Sequence, residues 1–428
     1  MRNRVAIIVE VKKREMPFMS ILKGILQQKG YKVKLIPFRS LCTWRLLFFR
    51  PDVVVINGLR NVYPYFVGQI YIPKKLFKSK IICYYSEQVG YYDQSIASDY
   101  NNTTILNNVD YHISNGWHFA KDIVGLGVSK DKMWITGSVQ YDIDKYLRRT
   151  SEDVKKELSA TYNIPFNKRW ILYADNIIEA YQPKGLFPSR RKETFNMIEA
   201  VALKNPECHI VFRPHPDTPY HEIDAAKQRF KDIENISVIG EGHIFDWTCS
   251  IAALIIWNST SSIQTMFMGI PVLGYMTSDG LNMENYWYKD IFPTFTDIDK
   301  LANAVHGTLA GEEDAVDYSY KDQRDAYIEE WYFKKDGYSF DRLCQIIGCA
   351  CRESFIPLTK DVNFGIGSVV KLLYYELRAW IGDIVKNRSL DKNIYRKEVQ
   401  NELSKYDITR FEGKEFEIVP AEYGNYLL

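Results

Sequence analysis

Arg213 and His215 stand two residues apart in Val211-Phe-Arg-Pro-His-Pro-Asp217, where a β-rich run ends and prolines fix the backbone. A guanidinium offers a planar fork to a phosphate, and a neighbouring imidazole adds a hydrogen bond or a proton. A histidine beside a strand is most often structural. Here Pro214 and Pro216 on either side, with an arginine just before, favour an anion site. A second candidate is Trp257-Asn-Ser-Thr-Ser-Ser-Ile-Gln264, followed by Met268-Gly-Ile-Pro-Val272. Asn258 and the hydroxyls of Ser259, Thr260, Ser261 and Ser262 lie between a strand and a helix, where a cap and free backbone N–H groups suit an anion; an ordinary Ser/Thr cap reads the same way.

Carboxylates come next. In Tyr84-Tyr-Ser-Glu-Gln-Val-Gly90, Glu87 follows a buried run, the position that a general base for an acceptor hydroxyl needs, with Gln88 beside it as an acceptor contact. A helix-start glutamate is the competing reading. Asp175, in Leu172-Tyr-Ala-Asp-Asn176, follows another strand and is a candidate nucleophile or contact. Asp142-Ile-Asp144 and Asp297-Ile-Asp299 resemble metal motifs but are too short to be specific, and both fit helix starts. No metal site is expected.

These residues need strands that end side by side. Short β-rich runs at 5–9, 33–36, 53–56, 81–85, 111–113 and 134–136 alternate with amphipathic segments such as 18–29 and 117–126. A linker at 163–168 precedes a second series at 170–173, 209–212, 236–239, 254–257 and 271–274. The pattern predicts an α/β chain with two Rossmann-like doubly wound domains facing a cleft, 1–162 and 163–315, and a C-terminal helical tail over 316–428. Glu87, Asp175, His215 and Ser259 each fall just after a strand, where such sheets bind ligands.

With 428 residues, 46% hydrophobic and 25% charged, the chain has the composition of a folded two-domain enzyme. A net charge of +2 selects no nucleic acid, so any anion site is local. Seven cysteines, an odd number mostly in apolar stretches, read as reduced and structural. No run reaches the ~18 apolar residues of a spanning helix and no secretory signal is present, so a cytoplasmic protein is expected. The segment 364–386 is an amphipathic helix carrying Lys371, Arg378 and Lys386, with Trp44-Arg-Leu-Leu-Phe-Phe-Arg50 a second basic aromatic stretch. Either packs on the domains or touches the inner face of a membrane.

The motifs of the second half resemble the donor-binding half of GT-B-fold glycosyltransferases of bacterial surface polysaccharides, over roughly residues 80–280. Similar His-Pro motifs occur in Kdo transferases of capsule and lipopolysaccharide, in bacterial sialyltransferases and in CDP-glycerol glycerophosphotransferases. The resemblance implies that Arg213, His215, Pro216, Asn258, Ser259, Thr260, Ser261, Ser262 and Gln264 surround the donor, and that Ser86-Glu-Gln88 matches the acidic first-domain motif. Many retaining relatives carry Glu where this chain has Gln264, which favours a CMP-linked donor. The implied function is transfer of a sugar from a nucleotide-sugar donor such as CMP-Kdo to a glycan or lipid-linked glycan, without a metal or other cofactor. The alternatives are a CDP-glycerol or CDP-ribitol polyol-phosphate transferase, with His243 as second histidine, and a non-catalytic assembly scaffold.

Overall fold

The strands are nearly continuous apolar runs, Arg-Val-Ala-Ile-Ile-Val over Arg4–Val9 and Val-Val-Val-Ile-Asn over Val53–Asn57. Runs of this kind form parallel sheets with both faces covered by helices, because exposing either face would leave apolar area in water. The computed structural model describes residues 3–38, 41–58, 66–86, 88, 103–175, 187–216, 218–257, 259–277, 290–312, 320–359, 365–385, 394 and 396–427. It divides into two compact units, one built from Met1–Gln88, Gln94–Arg148 and Ile328–Leu428, the other from Arg149–Tyr327.

The strands in chain order are β1 (Arg4–Val9), β2 (Lys32–Pro37), β3 (Val53–Asn57), β4 (Lys80–Tyr84), β5 (Tyr111–Ser114) and β6 (Met133–Ile135) in the first unit. The second unit holds β7 (Arg169–Ala174), β8 (Cys208–Arg213), β9 (Ile236–Val238), β10 (Ala253–Ile256), β11 (Val272–Tyr275) and β12 (Thr294–Phe295), after which the chain returns with β13 (Ile418–Ala421) and β14 (Gly424–Leu427). The expected strands are all present. The expected helix at 18–29 begins earlier, over Lys12–Gln28, since the buried Glu15 carboxylate accepts from the backbone N–H groups of Glu10 at 2.8 Å and Val11 at 3.1 Å.

The first sheet runs β2-β1-β3-β4-β5-β6-β14-β13, parallel except for β13. The second runs β9-β8-β7-β10-β11-β12 and is parallel throughout. That is the Rossmann order, in which the sheet reverses direction between its first and fourth strands, here β7 and β10. Each sheet has its own core: Ile8, Ile56, Ile81 and Phe119 belong to the first, Tyr173, Ile198, Phe212 and Leu301 to the second.

Two features differ from the expected organisation. The chain passes into the second unit at Arg148/Arg149, so the Ser151–Tyr162 helix lies with the second unit rather than before it. Its contacts explain this: Lys155 donates to the Lys168 carbonyl at 2.7 Å and lies over the Trp170 ring, and Tyr162 packs on Trp247. The tail, expected to be helical, ends in the β13–β14 hairpin, whose β14 extends the first sheet beside β6. Nothing local signals this, because the pairing partner lies far away in sequence. Gly424 permits it: its φ is +141°, and a Cβ there would sit 2.8 Å from the Met133 carbonyl oxygen.

Candidate functional site

In the second sheet Ala174 pairs with Arg213 on one side and Ile256 on the other. Asp175, Pro214-His215 and Trp257 with Ser259 therefore leave the sheet side by side at the carboxyl ends of β7, β8 and β10, at the reversal point. Three of the residues expected to do chemistry are brought together there. Glu87 and Asn258 lie outside the described residues.

Asp175 is fully buried and its carboxylate meets Arg191 at 2.7 Å; the same guanidinium reaches Glu222 at 2.9 Å. Burial pulls the Arg191 pKa down, but the Asp175 and Glu222 charges outweigh it and hold the group above its ordinary value. Asp175 is thus one arm of a carboxylate–guanidinium–carboxylate bridge, a placement that anchors β7 to the Phe187–Lys204 helix. Next to Arg191, the buried Arg190 guanidinium lies 4.7 Å over the Trp257 ring, at the end of β10. Neither arginine was singled out in the sequence. The signal was there: Arg190, Arg191 and Lys192 crowd the first two turns of a helix, the end that disfavours cations unless anions accompany them.

Arg213 does something other than expected. Its fork is directed at backbone, donating to the carbonyls of Glu241 at 2.6 Å and Gly242 at 2.7 Å, and burial lowers its pKa to about 10. It clamps the turn that carries His243, whose Nδ1 accepts from the Phe245 N–H at 3.2 Å and caps the Ile244–Thr248 helix. Gly242 sits at φ +80° against Trp247, whose indole N–H donates to the Glu241 carbonyl. His215 is half-buried, its carbonyl accepting from the Thr218 N–H, and Pro216 is exposed.

The hydroxyl turn is internally organised. Ser259 and Ser261 share a hydrogen bond at 2.8 Å, Ser262 donates to the Ser259 carbonyl at 2.8 Å, and Thr265 donates to the Ser261 carbonyl. Thr260, at the cap of the Ser261–Phe267 helix, makes no side-chain cap bond, while the Ser259 hydroxyl accepts from the Ser261 N–H at 3.4 Å. Gln264 is buried.

In the first unit, Gln88 proves structural in its contacts. Its amide donates to the Tyr85 carbonyl at 2.8 Å and accepts from the Asn115 N–H at 3.1 Å, and its carbonyl accepts from Tyr332. It fastens the ends of β4 and β5 instead of presenting its amide to an acceptor. The two Asp-Ile-Asp strings part ways: Asp297 caps its helix through the Lys300 N–H, while Asp142 is buried and accepts from the Ser339 N–H at 2.7 Å. All seven cysteines are free thiols, and no cluster among the described residues has the makings of a metal site.

Two Rossmann-like units, parallel and helix-covered, define a GT-B-type fold. Solved structures agree with that architecture. S. aureus MnaA with UDP is similar with a TM-score of 0.56 and 13% identity, over 85% of this chain and 100% of that one. The UDP-GlcNAc 2-epimerase of Neisseria meningitidis bound to UDP-GlcNAc gives 0.55 and 13%, over 81% and 100%. The wall teichoic acid polymerase TagF gives 0.55 and 13%, over 81% and 89%. At such identities the likeness is one of fold. No protein-family model matches the chain, and no curated protein matches its sequence.

Proposed function

We propose that the chain is a transferase of surface-glycan assembly that binds a nucleotide-activated donor in its second unit, with a CMP-linked sugar favoured. The observation that carries this reading is the arrangement of Asp175, His215 and Ser259 at adjacent strand ends at the reversal point of a Rossmann sheet, next to the buried Arg190 and the partly buried Arg191 of the Phe187–Lys204 helix. Gln264 is buried and neutral where many retaining GT-B enzymes carry Glu, and the resemblance favours a CMP-linked donor on that ground.

In the transfer, the bond from the anomeric carbon to the donor phosphate oxygen breaks as an acceptor hydroxyl oxygen bonds to that carbon. The acceptor proton passes to a carboxylate, for which Glu87 is the candidate, and the negative charge left on the phosphate is met by His215 and the Ser259–Ser262 turn. Arg213 holds the neighbouring turn and Asp175 holds the helix that brings the arginines, so both act as positioning residues. The acceptor is a glycan or lipid-linked glycan. Thermal unfolding with CMP, UDP, GDP and CDP-glycerol tests the donor: CMP should raise Tm most, and stabilisation by UDP alone, or by none of these, would overturn the reading.

One observation favours a second reading, a polyol-phosphate transferase. Arg213, the last residue of the strand that leads into His215, grips the turn that ends in His243, so its side chain ties the two histidine-bearing segments together. TagF, whose structures include a soak with CDPG, shares the fold. Transfer from CDP-glycerol to a lipid-linked acceptor that is lost in His243→Ala would establish it; absence of transfer by the unaltered protein would remove it.

A further inference from the structure

The Ile366–Val385 helix belongs to the first unit and shows two faces. One side is packed: Val369 and Leu372 rest on the first core, and the Glu376 carboxylate accepts from the Thr43 backbone N–H at 3.0 Å and its hydroxyl at 2.6 Å. On the other side Ile366, Val370, Tyr374, Leu377, Ile381 and Ile384 are exposed, from 39% for Leu377 to 83% for Ile366. Their spacing of three and four residues lines them along one face. Helices of soluble proteins bury such a stripe.

Charge is arranged to match. Lys371 and Arg378, both exposed, flank the stripe on one side. The helix carries only two acids, Glu376 and Asp383, seven residues apart and hence on the packed face that Glu376 fixes against Thr43. The open side thus combines apolar residues and cations with no carboxylate. A second segment enlarges it: Trp44 donates its indole N–H to the Leu373 carbonyl at 3.1 Å, which brings the stacked Trp44–Phe48 pair alongside the helix, with Phe48 78% exposed. No helix among the described residues is long and apolar enough to cross a membrane.

We propose that this face of the first unit lies in the interface of an anionic lipid bilayer, the helix parallel to the surface with its apolar stripe among the acyl chains and Lys371 and Arg378 at the headgroups. A second copy of the chain fits less well. In a paired-helix seam built on Val370, Tyr374, Leu377, Ile381 and Ile384, Lys371 and Arg378 would flank the contact and need acidic partners, which the exposed face lacks. The proposal is independent of the chemistry in the second unit.

The test is sedimentation of the full chain with vesicles of phosphatidylglycerol and phosphatidylcholine, or of phosphatidylcholine alone, at low and high salt, beside analytical ultracentrifugation without lipid. Binding should prefer the anionic vesicles and weaken with salt. Lys371→Gln and Arg378→Gln should each lower it about fivefold. Val370→Asn with Leu377→Asn and Ile381→Asn should lower it more than about tenfold, with unchanged circular dichroism, while Leu203→Asn, an exposed leucine of the second unit, should leave it unaltered. No vesicle binding would overturn the proposal. So would binding indifferent to the triple change, or a lipid-free dimer that the triple change converts to monomer without any lipid binding by the parent chain.

Discussion

The two sheets share a plan and differ at their carboxyl ends. In the second unit β7, β8 and β10 end in charge: Asp175 bridged to Arg191 and Glu222, Arg190 over Trp257, and a half-buried histidine. In the first unit the described residues at the ends of β3, β4 and β5, which do not include Glu87, are neutral amides and hydroxyls, with Asn57 accepting from the Ser86 N–H and Gln88 joining Tyr85 to Asn115. The first unit keeps its buried ion pair elsewhere, between Lys74 and Asp110 at 2.8 Å, where the same carboxylate also accepts from the Ile81 N–H at the start of β4. Ligands of such sheets bind beyond the carboxyl ends of the strands, whereas the Lys74–Asp110 pair meets β4 at its start, away from that edge. Under the proposed function, this difference is the reason for assigning the donor to the second unit.

The largest effect should come from His215→Ala, which lowers kcat on the order of 10²–10³-fold with folding intact. Retained turnover in steady-state assays would remove the contrast between the units. Next, Arg191→Met strands two buried carboxylates and should cost about 3–5 kcal/mol in denaturant unfolding. A smaller loss would mean that Asp175 and Glu222 are satisfied without the arginine.

Asp142 supplies a pH test confined to the first unit. Burial raises its carboxyl to about 7, against an ordinary value near 4. The native state therefore binds the proton more tightly than the unfolded chain does, and this contribution to stability declines as pH rises from about 4 to about 7. Asp142→Asn keeps an acceptor for the Ser339 N–H and should flatten that decline in unfolding measured across the range. An unchanged slope would assign the dependence to another group.

Gln88→Leu should destabilise the first unit by about 1–3 kcal/mol through the orphaned Asn115 N–H and Tyr85 carbonyl. A raised acceptor KM with full stability would return Gln88 to acceptor binding. The smallest effect is that of Asp297→Ala, about 1 kcal/mol from the lost cap, read as a small fall in Tm.

Much of this was legible before folding. Apolar runs alternating with amphipathic segments specify parallel sheets, since their residues cannot be buried otherwise, and His215, Asp175 and Ser259 follow strands because the runs end just before them. The same reasoning could not separate Asp142-Ile-Asp144 from Asp297-Ile-Asp299: one tripeptide pattern holds a buried carboxylate and a helix cap, and only the residues packed around each decide which. Arg213 reads as a phosphate fork until the turn at 241–242, distant in sequence, supplies carbonyls within reach. Trp44 and the Ile366–Val385 helix, two separate candidates along the chain, become one surface through the Leu373 carbonyl. Local sequence determined which segments form strands and helices and which polar residues lie at their ends, because backbone periodicity and burial act over a few neighbours. The tertiary structure alone decided what each polar group faces, because a hydrogen-bond partner or a low-dielectric environment is supplied by residues that the chain brings from far away.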